Sequence, residues 1–197
     1  MQGSSIYNLE PKSEKSLVGL TLKMASDRTL LPPTALLEDF EVSVHTPPRA
    51  LLYELDMVFP NVDCTKHNLV CILSAQKSKM KLLEWNDEVA KEKDLLLERF
   101  AEWAEKICKK ITENGHFADY IDPCSGLPSN GDGNKVYGEV DGFELLCSYK
   151  TSDAGGCKVL LHPSWASAVY PASIFSSAPI DLVLSIIKDD SFHPRKR

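Results

Sequence analysis

Residues 86 to 114 carry apolar side chains at helical spacing: Val89, Leu96, Phe100, Trp103, Ala104, Ile107 and Ile111. That stripe predicts a long amphipathic helix. Asn86 is a suitable cap, and Asp87 and Glu88 complement the positive end of the helix. Glu102 with Lys106, and Glu105 with Lys109, pair four residues apart on the wet side, and Gly115 closes the helix. A helix this long with so wide an apolar face has to lie across a sheet, so the rest of the chain must supply strands.

Residues 68–74 are short, apolar and bounded by polar turns, which predicts a buried strand running toward Gln76 and Lys77. Met80 to Trp85 is expected to pair with it across residues 76–79. Thr46-Pro47-Pro48 signals a helix start; Leu51, Leu52, Leu55 and Val58 share one helical face, and Pro60 stops it. His116 to Ile121 reads as a short strand. Phe143–Tyr149 and Cys157–His162 are expected to pair antiparallel, joined by residues 150–156, with Trp165–Phe175 a further strand. Ser177, Pro179 and Asp181 start a last helix that turns Ile180, Val183, Leu184 and Ile187 inward. Together these predict an α+β domain over residues 47–190, a mainly antiparallel sheet packed with helices. Residues 1–46 keep no period and read as a loosely ordered arm with apolar islands at Leu17–Leu20 and Leu30-Leu31. Residues 191–197 read as a solvated basic tail ending Pro194-Arg195-Lys196-Arg197.

The net charge of -6, with no Lys/Arg stripe among aromatics, argues against general nucleic-acid binding. No apolar run approaches the roughly 20 residues that span a bilayer. The N-terminus lacks a basic region followed by an apolar stretch, so no secretory signal is expected. A mitochondrial presequence fits poorly, because the first arginine is Arg28 while Glu10 and Glu14 come earlier. A cytoplasmic location is expected, with the six cysteines as reduced thiols.

The candidate chemistry centres on Gly155-Gly156-Cys157-Lys158, which opens an apolar run ending at His162. The glycines leave room for a backbone or a flat ligand, and Lys158 places a cation beside the sulfur that favours thiolate. Two readings stand: a soft ligand or nucleophile at an uncrowded turn, or a plain hairpin whose strand begins with a half-buried cysteine. Cys64-x-x-His67 with Cys71 resembles half a zinc site, but a second ligand pair is missing. Cys108 and Cys147 read as packing residues. Asp122-Pro123-Cys124-Ser125-Gly126 reads as a turn rather than a nucleophile motif, and residues 129–134 as a mobile loop. Gly131-Asp132-Gly133-Asn134 is too short to cradle a phosphate. His116 and His162 are candidate acid/base groups that also suit element ends.

The order of motifs carries a resemblance. Val58-Phe59-Pro60-Asn61-Val62 is followed by Gln76-Lys77, Trp85 and Leu95–Phe100, then Ile107-Cys108, Ala118–Pro123 and Ser125-Gly126-Leu127. Gly156-Cys157-Lys158-Val159, His162, Trp165 and Ser173-Ile174-Phe175 complete the series. Over residues 50–190 the chain resembles the cobalamin trafficking proteins of complementation group D, linked to methylmalonic aciduria and homocystinuria. The resemblance implies a fold similar to flavin-dependent nitroreductases and a binding module, an adaptor or metallochaperone-like protein, rather than an enzyme. It implies no cofactor held alone and docking onto the group C cobalamin-processing protein. Cargo then goes to cytosolic methionine synthase or to mitochondrial methylmalonyl-CoA mutase. It makes Cys157 the thiolate ligand to the cobalt of partner-held cobalamin, with Gly155, Gly156, Lys158 and His162 in support. Some relatives carry a second cysteine at the position of Gly156. Longer members have a mitochondrial targeting extension, which the first 46 residues here do not resemble. The alternative on the same fold is a flavin- or thiol-dependent reductase.

Overall fold

A computed structural model describes residues 28–84 and 86–197 of the chain. Within them seven strands and four α-helices follow in order: β1 (Thr29–Leu37), β2 (Phe40–His45), α1 (Arg49–Val58), β3 (Val70–Lys77), α2 (Asp87–Glu113), β4 (Ala118–Tyr120), α3 (Glu139–Cys147), β5 (Lys150–Ala154), β6 (Cys157–Leu161), β7 (Val169–Ser176) and α4 (Ile180–Lys188). Five strands form one sheet in the order β1-β2-β3-β7-β4, every neighbouring pair antiparallel, and β5 with β6 forms a separate hairpin. The fold is therefore α+β with a mainly antiparallel sheet packed with helices. Among the described residues no helix is long and apolar enough to cross a membrane.

Alternation along each strand sends successive side chains to opposite faces. Phe40, Val42 and Val44 of β2, Val70 and Ile72 of β3, and Ala172 and Ile174 of β7 share one face. They pack against Phe100, Trp103, Ala104, Ile107 and Ile111 of α2 and against Val183, Ile186 and Ile187 of α4. Phe40 and Trp103 meet edge to face with ring centroids 5.0 Å apart. The Asn86 side chain caps α2 by accepting from the Val89 N–H at 2.9 Å. The opposite face carries Cys71, Leu73, Ala75, Val169 and Phe175, covered by Leu51, Leu55 and Val58 of α1 and by Phe143 and Leu146 of α3.

Several expectations are corrected. The supposed arm over residues 1–46 contains β1 and β2 from Thr29 onward, and β2 is an interior strand. The alternation of Phe40, Val42 and Val44 with Glu41, Ser43 and His45 is a strand pattern, but it lasts only six residues, and Pro32-Pro33 interrupts β1, where a sheet edge tolerates proline. The island at Leu17–Leu20 lies outside the described residues. Phe143–Tyr149 is not a strand: Phe143 and Leu146, three apart, form the buried side of helix α3. The partner of β6 is β5, which lies within the stretch read as a connector. Residues 80–84 form turns, since β2 and β7 already occupy both edges of β3; Trp85 lies outside the described residues. Strand β7 begins at Val169, so Trp165 stands in the preceding turn.

The basic tail is docked rather than solvated. Arg195 pairs with Glu98 at 2.9 Å and Glu102 at 3.2 Å, and Arg197 grips Glu92 at 2.7 Å. Behind it the fully buried Arg99 donates to both oxygens of Asp39 at 2.9 Å and to the Arg195 carbonyl at 2.9 Å. Burial pushes Asp39 up, but the Arg99 hydrogen bonds outweigh it and hold the carboxyl below its usual range.

Helix α3 is tied to β7 by Glu139, whose carboxylate oxygens accept from Ser173 N–H at 3.1 Å and from its hydroxyl. Burial pushes Glu139 up to about 8, and pushes His45 on β2 down to about 4. From pH 4.5 to 8 the folded state keeps the Glu139 proton that the unfolded chain releases, so stability falls as pH rises. From pH 4 to 6.5 the unfolded chain binds a proton that folded His45 refuses, so stability rises with pH. The two slopes oppose one another up to pH 6.5, and above it Glu139 acts alone. Urea unfolding at pH 6.5 and pH 8 should therefore show a loss at the higher pH that Glu139→Gln flattens.

Candidate functional site

Strands β5 and β6 are joined by two residues, Gly155 and Gly156, with φ of 58° and 87°. Two consecutive left-handed residues make the tight turn whose twist suits a hairpin, and glycine adopts them without strain. Ala154 pairs with Cys157, so the cysteine is the first residue after the turn, and it is exposed. A methyl group built on either glycine would meet nothing within 4 Å, so the space around the tip is open.

Lys158 points to the other side of the ribbon. Its ammonium donates to Asp141 at 2.6 Å and to Glu144, both on α3, and Thr151 of β5 donates to Glu144 at 3.2 Å. The hydrogen bonds Lys158 donates to Asp141 and Glu144 raise its pKa. The cation is thus compensated by two carboxylates, and it anchors the hairpin to α3.

His162 is also not beside the sulfur. Five residues of strand, about 16 Å at the usual rise, separate it from Cys157. Its Nδ1 accepts from the Ser164 and Trp165 N–H groups, each at 3.2 Å. Nε2 therefore carries the hydrogen and donates to Glu41 at 3.1 Å. Trp165 stacks on the imidazole with centroids 4.0 Å apart, and Tyr149 donates to Glu41 at 2.7 Å. Burial pushes Glu41 up, yet the His162 and Tyr149 hydrogen bonds outweigh it and hold it low. His162 thus fastens the base of the hairpin to β2.

Further along the same face of β2, His45 Nε2 lies 2.9 Å from Ser43 Oγ and 3.4 Å from Cys147 Sγ. Cys147 is half-buried at the end of α3, and burial raises its thiol to about 11. The reading of Cys147 as packing in a strand misses this hydrogen-bonded contact; Glu41, Ser43 and His45 at alternate positions were the available signal.

The remaining candidates do not converge. Cys64 and Cys71 are buried in the core, burial raising Cys64 to about 12, while His67 is exposed. Among the described residues no three His, Cys, Asp or Glu side chains group to hold a metal. Cys108 is buried against the core and burial raises its pKa. His116 and His67 line an open cleft whose wall holds no acid and no cysteine. Asp122 accepts from the N–H groups of Cys124 at 3.1 Å and Ser125 at 3.2 Å, a built turn that exposes Cys124. The loop expected to be mobile is docked: Asn130 donates to Asp119 at 2.9 Å, and Gly133 packs so near the Val58 carbonyl that a Cβ would lie 1.9 Å from it.

Residues 22–187 match the family model described as methylmalonic aciduria and homocystinuria type D protein. The chicken and human proteins named Cobalamin trafficking protein CblD are each 34% identical over 142 residues, 72% of this chain and 47% of theirs. The mouse protein of that name is 33% identical over the same length. The chain spans about half the length of these curated relatives. It belongs to the methylmalonic aciduria and homocystinuria type D protein family.

Thiol exposure gives a direct check on this geometry. In the native state a chromogenic disulfide reagent should label Cys124 and Cys157 rapidly and Cys147 slowly. Cys64, Cys71 and Cys108 should react only after unfolding, as read by peptide mass analysis.

Proposed function

We propose that this chain is a non-enzymatic adaptor in cobalamin trafficking, docking on the group C processing protein and offering the Cys157 sulfur to cobalt. The observation that carries this reading is the open hairpin tip: an exposed cysteine directly after two glycines whose surroundings are empty to 4 Å. A planar macrocycle held by another protein needs such clearance, because a side chain at the turn would strike the ring before the sulfur reached the metal.

The chemistry asked of the chain is small. Cys157 would give its thiol proton to solvent and offer the sulfur as a soft ligand to the cobalt of cobalamin held by the partner. Lys158 contributes by holding the ribbon on α3, so the sulfur is presented at a fixed angle rather than on a free loop. Cytosolic methionine synthase and mitochondrial methylmalonyl-CoA mutase are the destinations this role would serve.

The test mixes the protein with cobalamin-loaded processing protein and records the visible spectrum. A sulfur–cobalt band is expected with the parent protein and should vanish with Cys157→Ser. Cys124→Ser, which removes the other exposed thiol, should leave the band intact. A band that survives Cys157→Ser, or that appears with this chain alone and free cobalamin, overturns the reading. An Asp141→Asn/Glu144→Gln variant should keep the band but weaken complex formation, because the hairpin loses its anchor.

A further inference from the structure

An open cleft of about 560 Å³ lies between the β1–β2 turn, the end of β3 and the C-terminal tail. Its wall carries four cations, Lys77, Lys79, Lys196 and Arg197, and two carboxylates, Glu38 and Asp39. Two of these charges are already spent. Arg197 is held by Glu92, which is buried and also accepts from Ser78 Oγ at 3.2 Å and the Lys79 N–H at 2.8 Å. Asp39 gives both oxygens to Arg99. The ammonium groups of Lys77, Lys79 and Lys196 make no ion pair or hydrogen bond with any described residue. Among the described side chains of the wall, Glu38 alone remains to oppose them.

Three uncompensated ammonium groups around one cleft repel one another, and in a chain of net charge -6 there is no shortage of carboxylates that could have paired them. The arrangement is also held in place. Arg197 donates to the Lys77 carbonyl at 2.9 Å, which locks the tail to the end of β3 and sets Lys196 against Lys77 and Lys79. Backbone donors nearby are consumed: the N–H of Lys77 goes to Asp39, that of Ser78 to Ala168, and that of Lys79 to Glu92. Recognition here rests on lysine side chains. Ammonium groups act as compact point charges and suit an anion with several oxygens spread over more than one centre, rather than a single planar carboxylate.

We infer that this cleft binds a polyanion with neighbouring phosphate groups, of the pyrophosphate type. Contacts made only by exposed ammonium groups are screened by salt, so the affinity falls steeply with ionic strength.

Calorimetric titration of the full chain with inorganic pyrophosphate at low ionic strength tests this. One saturable site is expected. Affinity should drop about tenfold in Lys77→Gln/Lys79→Gln and about threefold in Lys196→Gln, as for exposed charge pairs. It should rise in Glu38→Gln and stay unchanged in Lys150→Gln, which lies on the hairpin. Lys196→Gln sits outside the sheet and keeps the test valid if the double variant fails to fold. A parallel arm with vesicles bearing a phosphorylated inositol lipid separates the two sources of phosphate. Retention lost in Lys196→Gln assigns a lipid headgroup, and no retention assigns a soluble ligand. Absence of saturable heat, equal affinity in Lys196→Gln and the parent, or equal weakening by Lys150→Gln overturns the inference.

Discussion

Everything in this molecule follows from burial of one antiparallel sheet on both faces. A sheet with one wet face needs apolar residues only at alternate positions, whereas here β3 is buried along nearly its whole length. The α2 side takes the even positions of β2, β3 and β7, and the α1 and α3 side takes the odd ones. A single-residue slip in any strand would exchange the two cores, so register is fixed twice over. Burying one large side chain on such a surface is worth about 1.5–3 kcal/mol, and α2 contributes Phe100, Trp103, Ile107 and Ile111 to its side alone. The helix is thus less an ornament of the sheet than the condition for its existing.

The second face is where the sheet departs from a purely apolar design. Glu41, Ser43 and His45 occupy the inward positions of β2 and are covered by Tyr149, Cys147 and His162. Buried polar groups must find partners, and these find one another across three elements. The consequence is directional: apolar packing lets a hairpin slide, whereas the hydrogen bonds from Tyr149 and His162 to one Glu41 oxygen fix where β6 leaves the body. The core polarity of β2 therefore serves the placement of a ribbon whose own strands have little to bury.

The sequence made some of this legible and hid the rest for identifiable reasons. The helix α2 was readable because seven apolar residues at its spacing admit one interpretation. Strand β3 was readable because a short apolar run between polar turns is what two-sided burial produces. Strand β2 was not, because its alternation lasts only six residues, and its polar positions Glu41, Ser43 and His45 suggest a solvent face although they line a buried seam. Helix α3 was mistaken for a strand because a nine-residue segment with Phe143 and Leu146 inward fits either period. In the candidate site a turn at Gly155-Gly156 followed from local chemistry, whereas the exposure of Cys157 did not, since a half-buried cysteine fitted the same residues. The engagement of Lys158 did not follow either, since Asp141 and Glu144 lie on an element whose type was misjudged. The docking of the tail was equally invisible, because Glu102 was expected to pair with Lys106 within α2, and nothing local distinguishes Glu92, buried under the tail, from the exposed carboxylates of the same helix.

The two-residue length of the β5–β6 turn has a meaning beyond tightness. Cys157 and Lys158 are adjacent, so the ribbon shows sulfur on one side and ammonium on the other, and Lys158 is already committed to α3. The turn length is consequently an orientation code for the sulfur. One residue more or fewer between Ala154 and Cys157 sets two demands against each other: the ladder pairing turns one way, the Lys158 anchor the other. The fold itself leaves space for side chains at the tip, but the left-handed turn and anything approaching the sulfur both favour glycine there, and the chain length is fixed.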